Sequence, residues 1–288
     1  MKKIEKLKVL PKQEGHGEVS IFRIPMTIVV ENDSFLHIGG SPSSLSEKKA
    51  PVFTVDGRPV IPASSFKGAF RHQVEQVLIE KKNELMEKLK FTNENLIKPC
   101  VPSTNPSKAE KELVGKYREQ LRKNRNIVTT TENCWVEIDE SQVYIPKNGV
   151  CPVCYFFGSP GLMGFLRIPN FWPEVGNYVI SQTNIRIDRK TGTAATGAIV
   201  TGDQVKPGTV FKGDLEIVNN RLAFQFGRAR IIGDETLDLW LKEAHTKPLE
   251  EVQLLLLNEI LIPALNNITM LGGQRSKGGG KVSICLCV

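Results

Sequence analysis

The sequence lacks the signatures of several large enzyme classes. Its 288 residues contain neither the GxSxG motif of a nucleophile elbow nor the HExxH motif of zinc proteases. Only four histidines are present, each far from the others in sequence, and no pair of carboxylates recurs at a fixed helical spacing. The glycine-rich segment LGGQRSKGGGKV departs from the P-loop order, because Val282 rather than a hydroxyl residue follows Lys281. A nucleotide triphosphatase is therefore not the natural interpretation.

Long apolar runs are also missing. No stretch approaches the ~20 apolar residues that a membrane-spanning helix requires, and the first twelve residues are too polar for a signal peptide. We therefore expect a cytoplasmic protein that does not enter a membrane. In that reducing compartment the six cysteines are expected to be thiols or metal ligands rather than disulfides.

Basic residues exceed acidic residues by 38 to 31, which gives a formal net charge of +7. This balance favours a polyanionic partner. The excess is concentrated between Lys98 and Arg125, in a stretch that is poor in apolar residues. A solvated helix and a dedicated nucleic-acid surface are both compatible with such a run.

The order of predicted elements indicates an α+β fold with a single core and sizeable insertions. A strand runs from Glu18 to Glu31, and the helix that follows IPAS has Ser64 or Ser65 as its N-cap. Residues 82–149 form a charged, mainly helical insertion. A helix from Leu249 to Met270 leads into a final strand, and this βαβ…βαβ order suits a ferredoxin-like sheet.

Two segments combine cations with backbone amides that can bind phosphate. Lys67 and Arg71 lie near the start of the predicted helix, beside its free amides. The glycine-rich loop surrounds Arg275, Ser276 and Lys277 with residues that permit positive φ and close approach. Both segments suit a polyanion. For the loop, a flexible turn between a helix and a strand is an equal alternative.

The region after residue 160 is predicted to be rich in β-strands. Between Thr191 and Gly202, small residues replace large apolar ones, so this stretch cannot bury a side-chain core. We therefore expect it to project from the body as a hairpin or arm.

Cys151 and Cys154 form a CPVC pair, which is half of a tetrahedral zinc site. The preferred additional ligands are Cys100 and Cys134, and His72 or His37 could replace one of them. Unligated thiols and a redox-active pair remain alternatives. Cys285 and Cys287 share one face of the last strand and are expected to pack in the core.

Four motifs, taken together, resemble the RAMP superfamily of CRISPR-associated proteins, and most closely the backbone subunit of type III (Csm and Cmr) complexes. In chain order they are the loop at Gly39 and Gly40, VDGRPVIPASSFKGAFR, CPVCYFFGS and IDRKTGTAATGAIVTGDQVKPGTVF, and GGQRSKGGGKV closes the series. The resemblance covers nearly the whole chain except residues 82–149. It implies a single RAMP domain over residues 1–288, with a ferredoxin-like (RRM-related) core, a helical insertion that serves as a lid, and a thumb hairpin at 187–205.

The resemblance also implies partners and site residues. The partners are a guide crRNA, its target RNA, other effector subunits, and neighbouring backbone copies or paralogues that stack as a filament. No aromatic pair of the RRM type is present, so we expect contacts to phosphate and sugar rather than base stacking. The RNA-binding residues that it implies are Ser64, Ser65, Lys67, Arg71, Arg186, Arg189, Lys190, Thr191, Gly272, Gly273, Arg275, Ser276 and Lys277.

One departure from the family pattern concerns catalysis. Cleaving members carry an aspartate at the position that Lys49 occupies here. Either Glu47 or Asp33 replaces that acid in a magnesium-dependent endoribonuclease, or this chain binds RNA without cutting it, which is the interpretation that we favour. A guide-processing ribonuclease that uses His37 as its acid-base group is a more distant alternative.

Overall fold

A computed structural model of the chain describes residues 19–40, 51–100, 134–139, 142–174, 176, 178–220 and 224–286. The helices are α1 (Ala63–Glu80), α2 (Lys82–Leu89), α3 (Pro152–Phe157), α4 (Leu249–Leu256) and α5 (Ile262–Asn266), with a π-helical turn at Leu257–Leu261 between the last two. The strands are β1 (Val19–Val30), β2 (Thr54–Val55), β3 (Arg58–Pro59), β4 (Glu137–Asp139), β5 (Gln142–Tyr144), β6 (Leu166–Arg167), β7 (Trp172–Pro173), β8 (Val179–Ile187), β9 (Ala194–Val205), β10 (Val210–Asn220), β11 (Ile231–Ile232), β12 (Glu235–Thr236) and β13 (Val282–Leu286).

The main sheet is antiparallel and has the strand order β13-β1-β10-β6. Strand β7 also pairs with β10, on the same edge as β6 but nearer the start of β10. Helix α1 lies in the connection from β1 to the β6 and β7 segment, and α4 and α5 lie in the connection from β10 to β13. Helices and an antiparallel sheet thus build one mixed structure, which confirms the α+β prediction. The expected first strand is confirmed as β1.

One hydrophobic cluster joins the sheet to the helices. From Phe22 to Val30 every second side chain of β1 is buried, as for Ile24, Met26 and Ile28. The same cluster contains Phe66 and Phe70 of α1, at the helical spacing that the sequence predicts. Each such side chain contributes roughly 1.5–3 kcal/mol on burial, so this packing holds α1 in place against the sheet.

The start of α1 differs from the prediction. Pro62, in extended backbone conformation, precedes the first turn, and neither Ser64 nor Ser65 caps the helix. The amide of Ala63 instead donates a hydrogen bond to Oδ1 of Asn170, at 2.8 Å. A distant loop thus supplies the oxygen that a local serine was expected to supply, because an N-cap side chain needs only to reach a free amide.

The C-terminal helical segment ends at Asn266, before the predicted end at Met270. Its π-helical turn carries Glu259, whose two carboxylate oxygens accept hydrogen bonds from Lys81 at 2.8 Å and Lys88 at 2.9 Å. The hydrogen bond from Lys81, together with that from Lys88, lowers the pKa of Glu259 to about 2. These contacts attach α2, the beginning of the insertion, to the C-terminal helices.

Strands β8 and β9 form a long hairpin that includes residues 187–205. At its base, Leu36 and Val205 exchange both backbone hydrogen bonds, which attaches β9 to the body. Exposed apolar residues lie along β8, where Ile185 is 56% and Ile187 is 62% exposed. In the described part of the chain, no helix is both long and apolar enough to cross a membrane.

The expectation that Cys285 packs in the core is wrong. Cys285 is exposed, whereas Val282 at the start of β13 is buried. Successive side chains of β13 point to opposite faces of the sheet, so Cys285 lies on the face opposite to Val282, and that face is open to solvent. Cys287 lies outside the described residues.

Candidate metal centre and RNA-binding groove

The four predicted cysteine ligands come together in space. The sulfur atoms of Cys100, Cys134, Cys151 and Cys154 all lie within 4.8 Å of one another, and the last three residues are buried. Cys151 precedes α3 as its N-cap, and Cys154 lies one turn further along that helix. Cys100 and Cys134 belong to the insertion. The CPVC pair is therefore completed from the insertion, as predicted, and neither His37 nor His72 belongs to the cluster.

The cluster has the dimensions of a tetrahedral thiolate site. Zinc–sulfur bonds of about 2.3 Å place the sulfurs of a four-cysteine site about 3.8 Å apart, and those of Cys100 and Cys154 are 3.2 Å apart here. The amide of Cys151 donates to the sulfur of Cys134 at 3.3 Å. A hydrogen bond with the Cys134 thiol, followed by those with Cys151 and Cys154, lowers the pKa of the Cys100 thiol far below its usual range. Four soft thiol donors, three of them buried, thus fit a thiophilic divalent ion.

Arg71 lies against this cluster. Its Nη2 is 3.5 Å from the sulfur of Cys100 and 3.8 Å from that of Cys154, while its Nε donates to Glu75 at 3.2 Å. Burial lowers the pKa of Arg71, but the charge on Cys154 and a hydrogen bond to it outweigh that effect and raise the pKa above its ordinary value. Lys67, one turn earlier on α1, donates to the carbonyl of Phe157 at 2.9 Å. Both cations of the KGxxR motif therefore contact α3 or the cysteine cluster.

A groove of about 440 Å³ lies between α1 and the segment that precedes β13. From α1 it is lined by Ser65, Gly68, Ala69, His72 and Gln73, and from the other side by residues 267–272 and Arg275. The groove thus brings together two of the segments that the sequence singles out, namely the start of α1 and the glycine-rich loop. Ser64 is exposed next to it.

The glycine-rich loop has a shape that requires its glycines. Gly272 has a φ of +73°, and a Cβ there would lie 2.4 Å from the carbonyl oxygen of His37. The next amide, of Gly273, donates to the same oxygen at 2.8 Å. Because the backbone approaches so closely, a side chain at Gly272 would displace the loop.

The charged part of that loop is a short 3₁₀ turn at Arg275–Lys277, and all three of its residues are exposed. The Nε of Arg275 donates to the carbonyl of Gly272 at 3.1 Å, so the guanidinium is held at the edge of the groove. Ser34 fastens the far end of the loop, since its hydroxyl donates to Gly278 and accepts from the amide of Lys281. The predicted cation cluster is thus placed on a fixed backbone.

The loop is also connected to the base of the hairpin through residues 35–38. His37 accepts the amide of Gly273 through its carbonyl, and its Nδ1 lies 2.9 Å from the carbonyl oxygen of Asp203 in β9. Gln204 donates to Gln274 at 3.4 Å. Groove and hairpin therefore share one hydrogen-bonded connection, in which His37 is central and only half-buried.

Asp33, the candidate acid that lies within the described residues, does not belong to a group of metal-ligating side chains. Asp33 is exposed and forms an ion pair with Lys281, whose hydrogen bond lowers the pKa of the Asp33 carboxyl. Such a partner competes with a divalent cation for the same oxygens. Among the described residues, three or more metal-ligating side chains come together only at the cysteine cluster. Glu47 and Lys49 lie outside the described residues.

The hairpin places its predicted residues at or near its tip. Arg189, Lys190 and Thr191 are exposed in the turn between β8 and β9, where the amide of Lys190 donates to the carboxylate of Asp188. Arg186 belongs to β8, and its side chain lies outside what the structure describes.

The sequence prediction missed His72, Gln73 and the segment 267–269, which also line the groove. The sequence contained a signal for His72, because Ser65, Gly68 and His72 follow the spacing of one helical face, and Gln73 is adjacent to His72. No local pattern marks residues 267–269, which reach the groove only through the packing of α5 against α1.

Comparison with known proteins identifies the family of this chain. A search of curated protein sequences gives no match. Two solved chains share 18% identity with this chain and align over 92% of it and 97% of their own length; one is from a cryo-EM structure of Type III-B Cmr-beta bound to cognate target RNA (TM-score 0.41) and one from its apo state (TM-score 0.40). A sequence profile of the RAMP superfamily matches residues 30–283, which is most of the chain. The protein therefore belongs to the RAMP superfamily.

Proposed function

We propose that this protein is a guide-RNA-binding backbone subunit of a type III CRISPR RNA-targeting complex, which holds guide and target in a helical filament. The observation that carries the proposal is the groove between α1 and the glycine-rich loop, with Arg275 at its edge. Small residues that let a strand approach closely, together with a fixed cation at the edge of the groove, suit the phosphate chain of an RNA strand.

We further infer that the core is ferredoxin-like. We number the strands of the main sheet 1 to 4 along the chain and count β6 and β7 together as the second. Across the sheet these strands then stand in the order 4-1-3-2. Helices follow the first and the third of these positions. This is the arrangement of the β-α-β-β-α-β unit.

RNA binding by this groove should be electrostatic and indifferent to base sequence. The double variant Arg275→Ala, Lys277→Ala removes two exposed cations, so the slope of log K against log salt should become shallower by about 1.4 for a single strand. Affinity should fall alike for RNAs of different sequence. Fluorescence anisotropy over a salt series measures both quantities.

A matched control is Arg167→Ala with Lys212→Ala, which removes the same charge from exposed positions on the main sheet. This control should leave the slope close to that of the wild type. Equal losses in the two double variants would show that the groove has no special role, and a loss limited to one RNA sequence would contradict backbone recognition.

We propose that the β8–β9 hairpin is a thumb that wedges between guide and target. Three features support this role: the small residues of β9, the exposed cations of the tip, and the exposed apolar pair Ile185 and Ile187 on β8. Apolar side chains inserted at a base step partially unstack it. A wedge of this kind interrupts base pairing at regular intervals when subunits repeat along the guide.

Truncation of the hairpin tests this role. Thr183 and Thr201 face each other across the two strands, so residues 184–200 can be replaced by an Asn-Gly turn that keeps the base intact. In assembled complexes, 2-aminopurine placed at successive target positions should report periodic unstacking with the wild type and none with the truncated protein. An unchanged periodic pattern would contradict the wedge.

We also propose that the cysteine cluster binds one structural zinc ion. Cys100, Cys134, Cys151 and Cys154 would hold it, and the ion would tie the insertion to α3. The support is the four-sulfur donor set, three of whose residues are buried and which contains no carboxylate. A closed four-cysteine set stabilises a fold and leaves no position open for catalysis.

A further inference from the structure

Helix α1 presents two functional faces. Ser65, Gly68 and His72 lie on the face that lines the groove. Lys67 and Arg71 each precede a groove residue by one position, which turns them about 100° away from that face. Their observed partners are Phe157, Glu75 and the cysteine cluster rather than groove residues. The cations that resemble RNA ligands in sequence therefore point to a different site.

The contacts of Arg71 are those of a group that supports a metal centre. Its side chain is 17% exposed, and Glu75 fixes its orientation by accepting from Nε one turn along the same helix. Its Nη2 reaches both Cys100, which comes from the insertion, and Cys154, which comes from α3. One guanidinium thus touches ligands from both segments that the cluster joins.

We propose that Arg71 is a positioning residue of the cysteine metal centre, which donates hydrogen bonds to the sulfurs of Cys100 and Cys154 and offsets their negative charge, and that it is not an RNA contact. The proposal rests on the zinc site proposed above. Four thiolates around a divalent cation carry a net charge of −2, which a buried site tolerates poorly without a cation nearby. Arg71 supplies that charge and, through α1, links the centre to the groove.

Two faces of α1 are therefore expected to serve different sites, one the metal centre and the other the groove. Loss of a hydrogen-bond partner outside the ligand set typically weakens metal binding by about 10–100-fold. Arg71→Met should therefore weaken zinc binding by about that factor, whereas His72→Ala, on the neighbouring face, should leave it unchanged. Arg71→Lys keeps the charge but loses the forked donor geometry, so its zinc affinity should lie between those of the wild type and Arg71→Met.

The experiment uses full-length wild-type protein, Arg71→Met, Arg71→Lys and His72→Ala. Zinc affinity is measured by competition with a chromogenic chelator, and cobalt substitution gives the sulfur-to-metal charge-transfer band. That band should move to longer wavelength in Arg71→Met, because the thiolate lone pairs are no longer stabilised by hydrogen bonds. Zinc-loaded Arg71→Met should bind RNA as the wild type does, whereas Arg275→Ala should bind more weakly.

The outcomes separate the two proposals. If the wild-type protein binds no zinc, both the proposed zinc site and this proposal are wrong. Zinc binding by the wild type with an identical affinity and cobalt spectrum in Arg71→Met overturns the role of Arg71 alone. The proposed role of Arg71 is also overturned if zinc-loaded Arg71→Met loses as much RNA affinity as Arg275→Ala does. If Arg71→Met does not fold, the zinc affinity and cobalt spectrum of Arg71→Lys decide, since an unchanged pair of values would overturn the proposal.

Discussion

Cys151→Ser is expected to lose its zinc ion and to unfold at markedly lower denaturant than the wild type. Structural zinc contributes about 10–16 kcal/mol in small zinc domains, so loss of one of four ligands should cost about 3 kcal/mol or more. The effect should spread to α3, because Cys151 is its N-cap and all six residues of that helix are buried. Elemental analysis should give about one zinc per wild-type chain, and urea unfolding should give the loss in stability.

The chain provides its own control for this substitution. Cys285 is exposed on the edge strand, outside the cluster, so Cys285→Ser should retain both zinc and stability. The zinc assignment would be abandoned if protein purified under reducing conditions carried no metal. It would also be abandoned if the two serine variants unfolded at the same denaturant concentration.

Asp238→Ala should destabilise the protein by about 3–5 kcal/mol, because it leaves a buried guanidinium without its counter-charge. Arg230 and Asp238 are fully buried and are joined by three hydrogen bonds of 2.8–2.9 Å, one of them from the Arg230 amide. The guanidinium also lies 4.9 Å from the ring centroid of Tyr155 in α3. This ion pair therefore supports the helix that carries the CPVC motif.

The matched comparison is Glu94→Ala, which breaks an exposed ion pair with Lys82 and should have little effect on stability. Thermal or urea unfolding of both variants measures the difference. Equal stabilities of Asp238→Ala and Glu94→Ala would show that the buried pair does not hold α3 in place.

Local sequence patterns correctly predicted strand β1 and helix α1, because residue type and spacing within each segment determine these elements. The β-branched segment of β1 and the helical spacing of Phe66, Phe70 and Val74 in α1 both correspond to the observed elements. The N-cap prediction was wrong because Asn170, a residue that is distant in sequence, supplies the capping oxygen. Tertiary partners of this kind leave no trace in a short sequence window.

The candidate site divides in the same way. The grouping of the four cysteines could be predicted, since a CxxC pair needs two more ligands and the sequence has only four other cysteines. The orientation of Arg71 could not be predicted. A KGxxR motif places its cations on one side of a helix, but only the packing of α1 against α3 decides whether that side meets the groove or the cysteines.

Photo-cross-linking tests the central claim, RNA binding in the groove, most directly. Single-stranded RNA that carries 4-thiouridine throughout is bound to the wild-type protein, irradiated and digested, and the cross-linked peptides are identified by mass spectrometry. The account predicts cross-links in residues 64–73 and 267–277, which flank the groove, and their loss in the Arg275→Ala, Lys277→Ala variant. Cross-links confined to the main sheet, such as to β1 or β10, would contradict it.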